Sequence, residues 1–102
     1  MLELRPSCEH CNRPLPPAST EARICSYECT FCARCVDELL HNTCPNCGGG
    51  FVARPVRPAR DWTGGISLTQ QPAGTRVVHR PVDLQRHARL LAAQDGTAPE
   101  DR

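Results

Sequence analysis

The sequence contains no lysine; all 12 basic residues are arginine. Aromatic surface is scarce, with one Trp, one Tyr and two Phe in 102 residues. No apolar run approaches the roughly 20 residues that span a membrane. The opening stretch MLELRPSCEHC lacks a charged region followed by an apolar one, so it predicts no secretory signal. These absences argue against membrane insertion and export and predict a cytoplasmic protein. Cysteine is absent after Cys47, yet eight fall between Cys8 and Cys47. The apolar groups of that half, chiefly Ile24, Tyr27, Phe31, Val36, Leu39, Leu40 and Phe51, are too few for a self-sufficient core. It therefore needs crosslinks. In a reducing compartment, paired cysteines usually bind metal; a disulfide framework is the alternative for an exported chain.

The cysteines read Cys8-x2-Cys11-x13-Cys25-x3-Cys29-x2-Cys32-x2-Cys35-x8-Cys44-x2-Cys47. Three pairs are C-x2-C and one, Cys25/Cys29, is a residue wider. A two-residue gap lets a tight turn aim both sulfurs at one metal, with backbone N–H groups stabilising their charge. Pro45 and Gly48 suit such a turn, the first by its fixed φ and the second by its tolerance of positive φ. Eight thiols in four pairs predict two four-thiolate sites. Zinc is the first choice of metal, and single-ion iron is the rival. Either pairs one and three share a metal, or consecutive pairs do.

The stretch CSYECTFC resembles the cluster motif of radical-SAM enzymes. That chemistry sits on a barrel-like domain, and a full (β/α)8 barrel needs roughly 200 residues, so this reading is set aside. The ferredoxin spacing also fails, because the gap after Cys35 is too long. The whole order, C-x2-C, loop, C-x3-C-x2-C-x2-C, loop, C-P-x-C, resembles the all-cysteine RING-type cross-brace over residues 8–47. That resemblance implies one site from Cys8, Cys11, Cys32 and Cys35 and a second from Cys25, Cys29, Cys44 and Cys47. The positions by which RING ligases dock conjugating enzymes hold His10, Leu39/Leu40 and Gly48–Gly50, so ubiquitin-ligase activity is not expected. The run RICSYECTFCARC followed by CPNCGG resembles a family of small bacterial cysteine-rich proteins of unknown function, which implies metal binding and small size.

Locally, 22–27 predicts a strand and 28–31 the return of a hairpin. Val36, Leu39 and Leu40 at i, i+3, i+4 predict one short helix with all three turned inward. His10 and His41 are candidate substitute ligands, but eight thiolates fill two sites, so both are expected to be exposed. Closed thiolate sites keep no position for water, and no Ser/His/Asp spacing carries catalytic information; no enzyme is predicted.

The second half divides into an Arg/Pro linker over 53–62, short extended runs and a helix over 63–95, and a disordered tail over 96–102. Arg54, Arg57 and Arg60 recur every three residues, so a polyproline II segment would line them up beside Trp62. That strip is a candidate anion or nucleic-acid contact, or a solvated linker. Arg76 and Arg80 add to it. Ile66–Gln70 and Thr75–His79 read as extended runs around a turn. From Asp83, a good N-cap, to Gly96, a helix would place Leu84, Ala88, Leu91 and Ala92 on one face.

Residues 1–50 carry four Arg against six acids and residues 51–102 eight Arg against five, so the halves are −2 and +3. Two zinc-tetrathiolate sites, at −2 each, would make the first half strongly acidic. The prediction is a small metal-stabilised α+β protein. It has a RING-like, treble-clef zinc domain over 1–52, a short hairpin, one short helix and a C-terminal extension with a second helix. It would hold two zinc ions and bind another protein. Nucleic-acid binding and redox or metal sensing are the alternatives.

Overall fold

The computed structural model describes residues 1–102. The expected hairpin is present as β1 (Ala22–Ile24) and β2 (Thr30–Cys32), antiparallel, with Ala22 opposite Cys32 and Ile24 opposite Thr30. The Cys25–Cys29 segment is its turn. The Cys25 amide donates to the Cys29 carbonyl at 3.2 Å and the Glu28 amide to the Cys25 carbonyl at 3.0 Å. A third strand, β3 (Val52–Ala53), pairs antiparallel with the free edge of β1, giving the order β2-β1-β3. At two residues it is too short for a periodic signal. It forms because the glycine-rich turn after Cys47 returns the chain to β1.

Helix α1 (Ala33–Cys35) runs directly into a π-helical turn, Val36–Leu40. Val36 and Leu40 are buried, but Leu39, expected inward, faces solvent. The wider i→i+5 turn puts residues four apart on one face and rotates the i+3 position away. His41 stops the turn in the left-handed region, φ 50°.

The core gathers Phe31, Leu15, Leu40, Val36 and Ala22 around six cysteines. Phe51 meets Phe31 edge-on, ring centres 5.5 Å apart, a favoured aromatic geometry. Leu15, inside a Pro-rich stretch, was not among the apolar groups expected here. Tyr27 was, yet it is 73% exposed.

The second half lies against the first. Arg54, expected in a solvated strip, is 5% exposed. Its guanidinium donates to the carbonyls of Arg5, Leu15 and Pro16 at 2.8–3.1 Å. Arg57 donates to the carbonyls of Leu2 and Gln71, both at 2.7 Å. The expected arginine line therefore does not form. Ile66–Gln70, expected to be extended, ends in a turn over Leu68–Gln70. Thr75–His79 joins no sheet. It belongs to an irregular strap along residues 3–10, with Gly74 N on Glu3 O (2.7 Å), Arg80 N on Glu9 O (2.8 Å) and Val82 N on His10 Nδ1 (2.9 Å).

Helix α2 (Leu84–Gln94) starts where expected. The Asp83 carboxylate accepts from the amides of Gln85 and Arg86, both at 3.1 Å. Asp95 in the left-handed region ends it, followed by Gly96 at φ 73°. Its inward stripe is His87, Leu90, Leu91 and Gln94, not the Leu84/Ala88/Ala92 face. Polar docking decides this. His87 Nε2 meets the Leu40 carbonyl at 2.9 Å, as a second donor beside the Thr43 amide at 3.1 Å. Gln94 accepts from Thr43 Oγ1 at 3.1 Å and donates to Gly48 O at 2.8 Å. Residues 96–102, expected to be disordered, form a 3-10 turn at Pro99–Asp101, and Arg102 donates to Asn42 O at 2.9 Å. No helix is long and apolar enough to cross a membrane.

Candidate metal centre

The first knuckle is built by the backbone. Ser7 and Pro14 bridge, the Cys8 amide donates to Arg13 O at 2.9 Å, and the Asn12 amide donates to Cys8 O at 3.0 Å. This turn aims Cys8 and Cys11 at the end of β2, where Cys32 closes the strand and Cys35 follows in α1. The four Sγ atoms lie within 4.8 Å of one another. Cys8–Cys35 and Cys11–Cys32 are each 3.8 Å apart. A tetrahedron with metal–sulfur bonds of about 2.3 Å has edges of about 3.8 Å, so the spacing fits a tetrathiolate metal ion.

The second knuckle is Cys44–Cys47. The Gly48 amide donates to Cys44 O at 2.8 Å and the Cys44 amide to Gly49 O at 2.8 Å. Gly48 takes φ 78°, as its place in the turn requires. Cys25, Cys44 and Cys47 have their sulfurs within 4.8 Å of one another. Cys29 stands at the edge of this trio, its thiol beside those of Cys25 and the Asn46 amide. Amides of Tyr27 and Gly49 point at the sulfurs of Cys25 and Cys47 at 3.3 and 3.4 Å. Such N–H···S contacts orient thiolates and spread their charge.

All eight cysteines are unbridged. Pair one is thus gathered with pair three, and pair two with pair four. Each set keeps one exposed member, Cys11 in the first and Cys47 in the second. Burial pushes the thiols of Cys8, Cys29, Cys35 and Cys44 up. Cys11 differs. Burial raises it too, but the Arg13 amide and the neighbouring thiols outweigh this and leave it lowered. Metal capture must therefore expel protons from most of these groups.

Neither candidate histidine reaches a cluster. His10 Nδ1 accepts from the Val82 amide, and His41 is an exposed helix stop. Of the expected contact strip, Arg60 and Trp62 remain exposed, with the guanidinium 6.0 Å from the ring centre. Two functional neighbours escaped the sequence. Glu9, 1% exposed, accepts from Arg5 at 2.8 Å and from the Thr30 amide at 2.5 Å, bracing the first knuckle against β2. Asn46 stands beside Cys29. The first has no local signal; the second sits inside C-P-N-C, where a knuckle side chain is a natural suspect.

Residues 1–57 match the family described as "Protein of unknown function (DUF1272)". An uncharacterized protein of Rhizobium meliloti (strain 1021) is 54% identical over 81 residues, covering 79% of this chain and 89% of that one. No solved structure matches.

Proposed function

This chain belongs to the DUF1272 family, and we propose that it is a two-zinc, RING-like binding module whose metals serve structure. The interleaving of two thiol sets, one with the edge lengths of a metal–sulfur tetrahedron, carries this reading. Cys8, Cys11, Cys32 and Cys35 would hold one ion, and Cys25, Cys29, Cys44 and Cys47 the other. Each ion would close a loop that contains ligands of the other, turning metal affinity into folding energy of about 10–16 kcal/mol per site. Support for the treble-clef form is the direct passage from β2 through Cys32 into α1. Four thiolates fill a tetrahedral ion and keep no place for a reacting water, so we assign no catalysis. Tyr27 and Trp62, each 73% exposed, are the residue types that anchor protein partners. The nucleic-acid reading loses Arg54 and Arg57 to internal carbonyls.

Elemental mass spectrometry of anaerobically purified protein tests the metal. Two zinc and negligible iron per chain is expected; substantial iron with visible absorbance overturns the structural-zinc reading. The exposed thiols Cys11 and Cys47 favour one second reading, a redox sensor that opens on oxidation. Zinc release at mild peroxide levels would select the sensor, and retention the module.

A further inference from the structure

Between the second cysteine set and helix α2 lies an open cleft of about 1000 Å³, at the large end for ligand sites. Arg5, Arg80, Arg86 and Arg89 line it. The molecule's four ion pairs engage only Arg5, Arg34 and Arg76. Arg80, Arg86 and Arg89 thus enter the cleft with no carboxylate partner. Two acids share the wall, and neither pairs with Arg80, Arg86 or Arg89. Glu9 is bound by Arg5, and Asp83 caps α2. Cys29 and Cys47 also border the cleft, and the charge of a metal-bound thiolate set offsets part of the arginine charge without filling the space.

His87 supplies an independent mark. It lines the cleft, is 3% exposed, and its Nδ1 has no hydrogen-bond partner. Because the Leu40 carbonyl only accepts, Nε2 carries the proton there. In the neutral ring Nδ1 is then a buried lone pair lacking a donor, a costly state to leave unmade. A ligand that satisfies this set is an oxyanion for the guanidinium forks that also carries a hydroxyl for Nδ1. The inorganic phosphate ion, which keeps a P–OH at neutral pH, has both; sulfate, and a phosphate monoester with its second pKa of about 6, have mainly the first.

We propose that this cleft binds the inorganic phosphate ion, with Arg80, Arg86 and Arg89 on the phosphate oxygens and His87 Nδ1 accepting from its hydroxyl. The proposal goes beyond the metal reading and does not depend on which metal fills the thiol sets.

Calorimetric titration of the full chain with inorganic phosphate and, separately, with sulfate tests it, with metal content counted on the same sample. Phosphate is expected to bind one to one with a Kd of about 1 mM or tighter. Sulfate should bind at least about threefold more weakly, for want of the hydroxyl. Arg86 and Arg89 are exposed, so the R86Q/R89Q double variant should fold and weaken phosphate binding by about tenfold or more. Arg34→Gln, outside the cleft, should bind as the parent does. Absence of phosphate binding, or an R86Q/R89Q variant that binds normally, overturns the site. Equal binding of sulfate overturns the role of His87. A chain that folds and binds phosphate while short of metal speaks against the module reading alone, so the cleft is scored on folded protein of counted metal content.

Discussion

Arg54 holds three carbonyl oxygens from two separate stretches, Arg5 on one side and Leu15 and Pro16 on the other. It has no carboxylate partner, and burial alone draws its pKa down. The guanidinium fork, not its charge, is what the site uses. Lysine offers a single point of donation and cannot span the three oxygens. Arg54→Lys is therefore expected to destabilise the metal-loaded protein by about 2–3 kcal/mol, because buried carbonyls lose their donors. Urea unfolding measures this, and a change below about 0.5 kcal/mol would show that the fork is dispensable. Gly74 makes a contrasting demand at the same scale. A Cβ there would sit 2.7 Å from the Glu3 carbonyl oxygen, in a strap held to that oxygen by the Gly74 amide. Gly74→Ala should push the strap off Glu3 and speed hydrogen exchange at residues 74–80 by about tenfold or more; unchanged exchange would mean the backbone yields without cost.

Among elements, α2 shows how a local pattern and a tertiary contact divide the work. Its start is local. Asp83 caps two free amides, and Asp83→Ala should cost about 1 kcal/mol, read as a lower melting temperature with full metal content. Loss of metal in that variant would mean that the helix is needed to close the second cysteine set. Its facing is not local. Leu84 and Ala88 are helix formers without a docking site. His87 and Gln94 turn inward because carbonyls of Leu40 and Gly48 wait there. The π turn at Val36–Leu40 likewise alters a correct helix expectation. The helix exists, but its width decides that Leu39 is outside.

For the whole molecule, interlocking is the main consequence of the paired sets. If the metals crosslink loops that contain one another's ligands, Cys44→Ser should not merely empty one site. It is expected to lower zinc from two to one or fewer and to broaden the amide spectrum of residues around Cys8–Cys35 as well as its own site. A sharp, native spectrum for the first set would show that the two sites fold independently. Acid should act through the same links. Glu3 is held at a pKa of about 2 by hydrogen bonds from Arg76 and then Arg5. A depressed carboxyl stabilises the fold above its ordinary value of 4.5 and loses that contribution as pH falls toward 2. Thiolates must hold metal against protons well above that window, and most of these thiols are raised by burial. Acid unfolding should therefore coincide with zinc release above pH 4.5 and be unmoved by Arg76→Gln. A midpoint that follows the Arg76 substitution would place the acid limit in the Glu3 pair instead.

The sequence by itself determined which residues are candidate ligands, the hairpin around Cys25–Cys29, the helix after Cys32, and the capped helix from Asp83. Each depends on groups only a few residues apart: a two-residue knuckle, a turn, a side chain reaching its own helix's amides. Tertiary structure alone decided which cysteine pairs meet, the pairing of Val52–Ala53 with β1, the inward turn of Arg54 and Arg57, the facing of α2 and the cleft beneath it. These features join atoms tens of residues apart. Their energies come from satisfying buried carbonyls and closing long loops, and neither composition nor periodicity records which distant group will be there to answer.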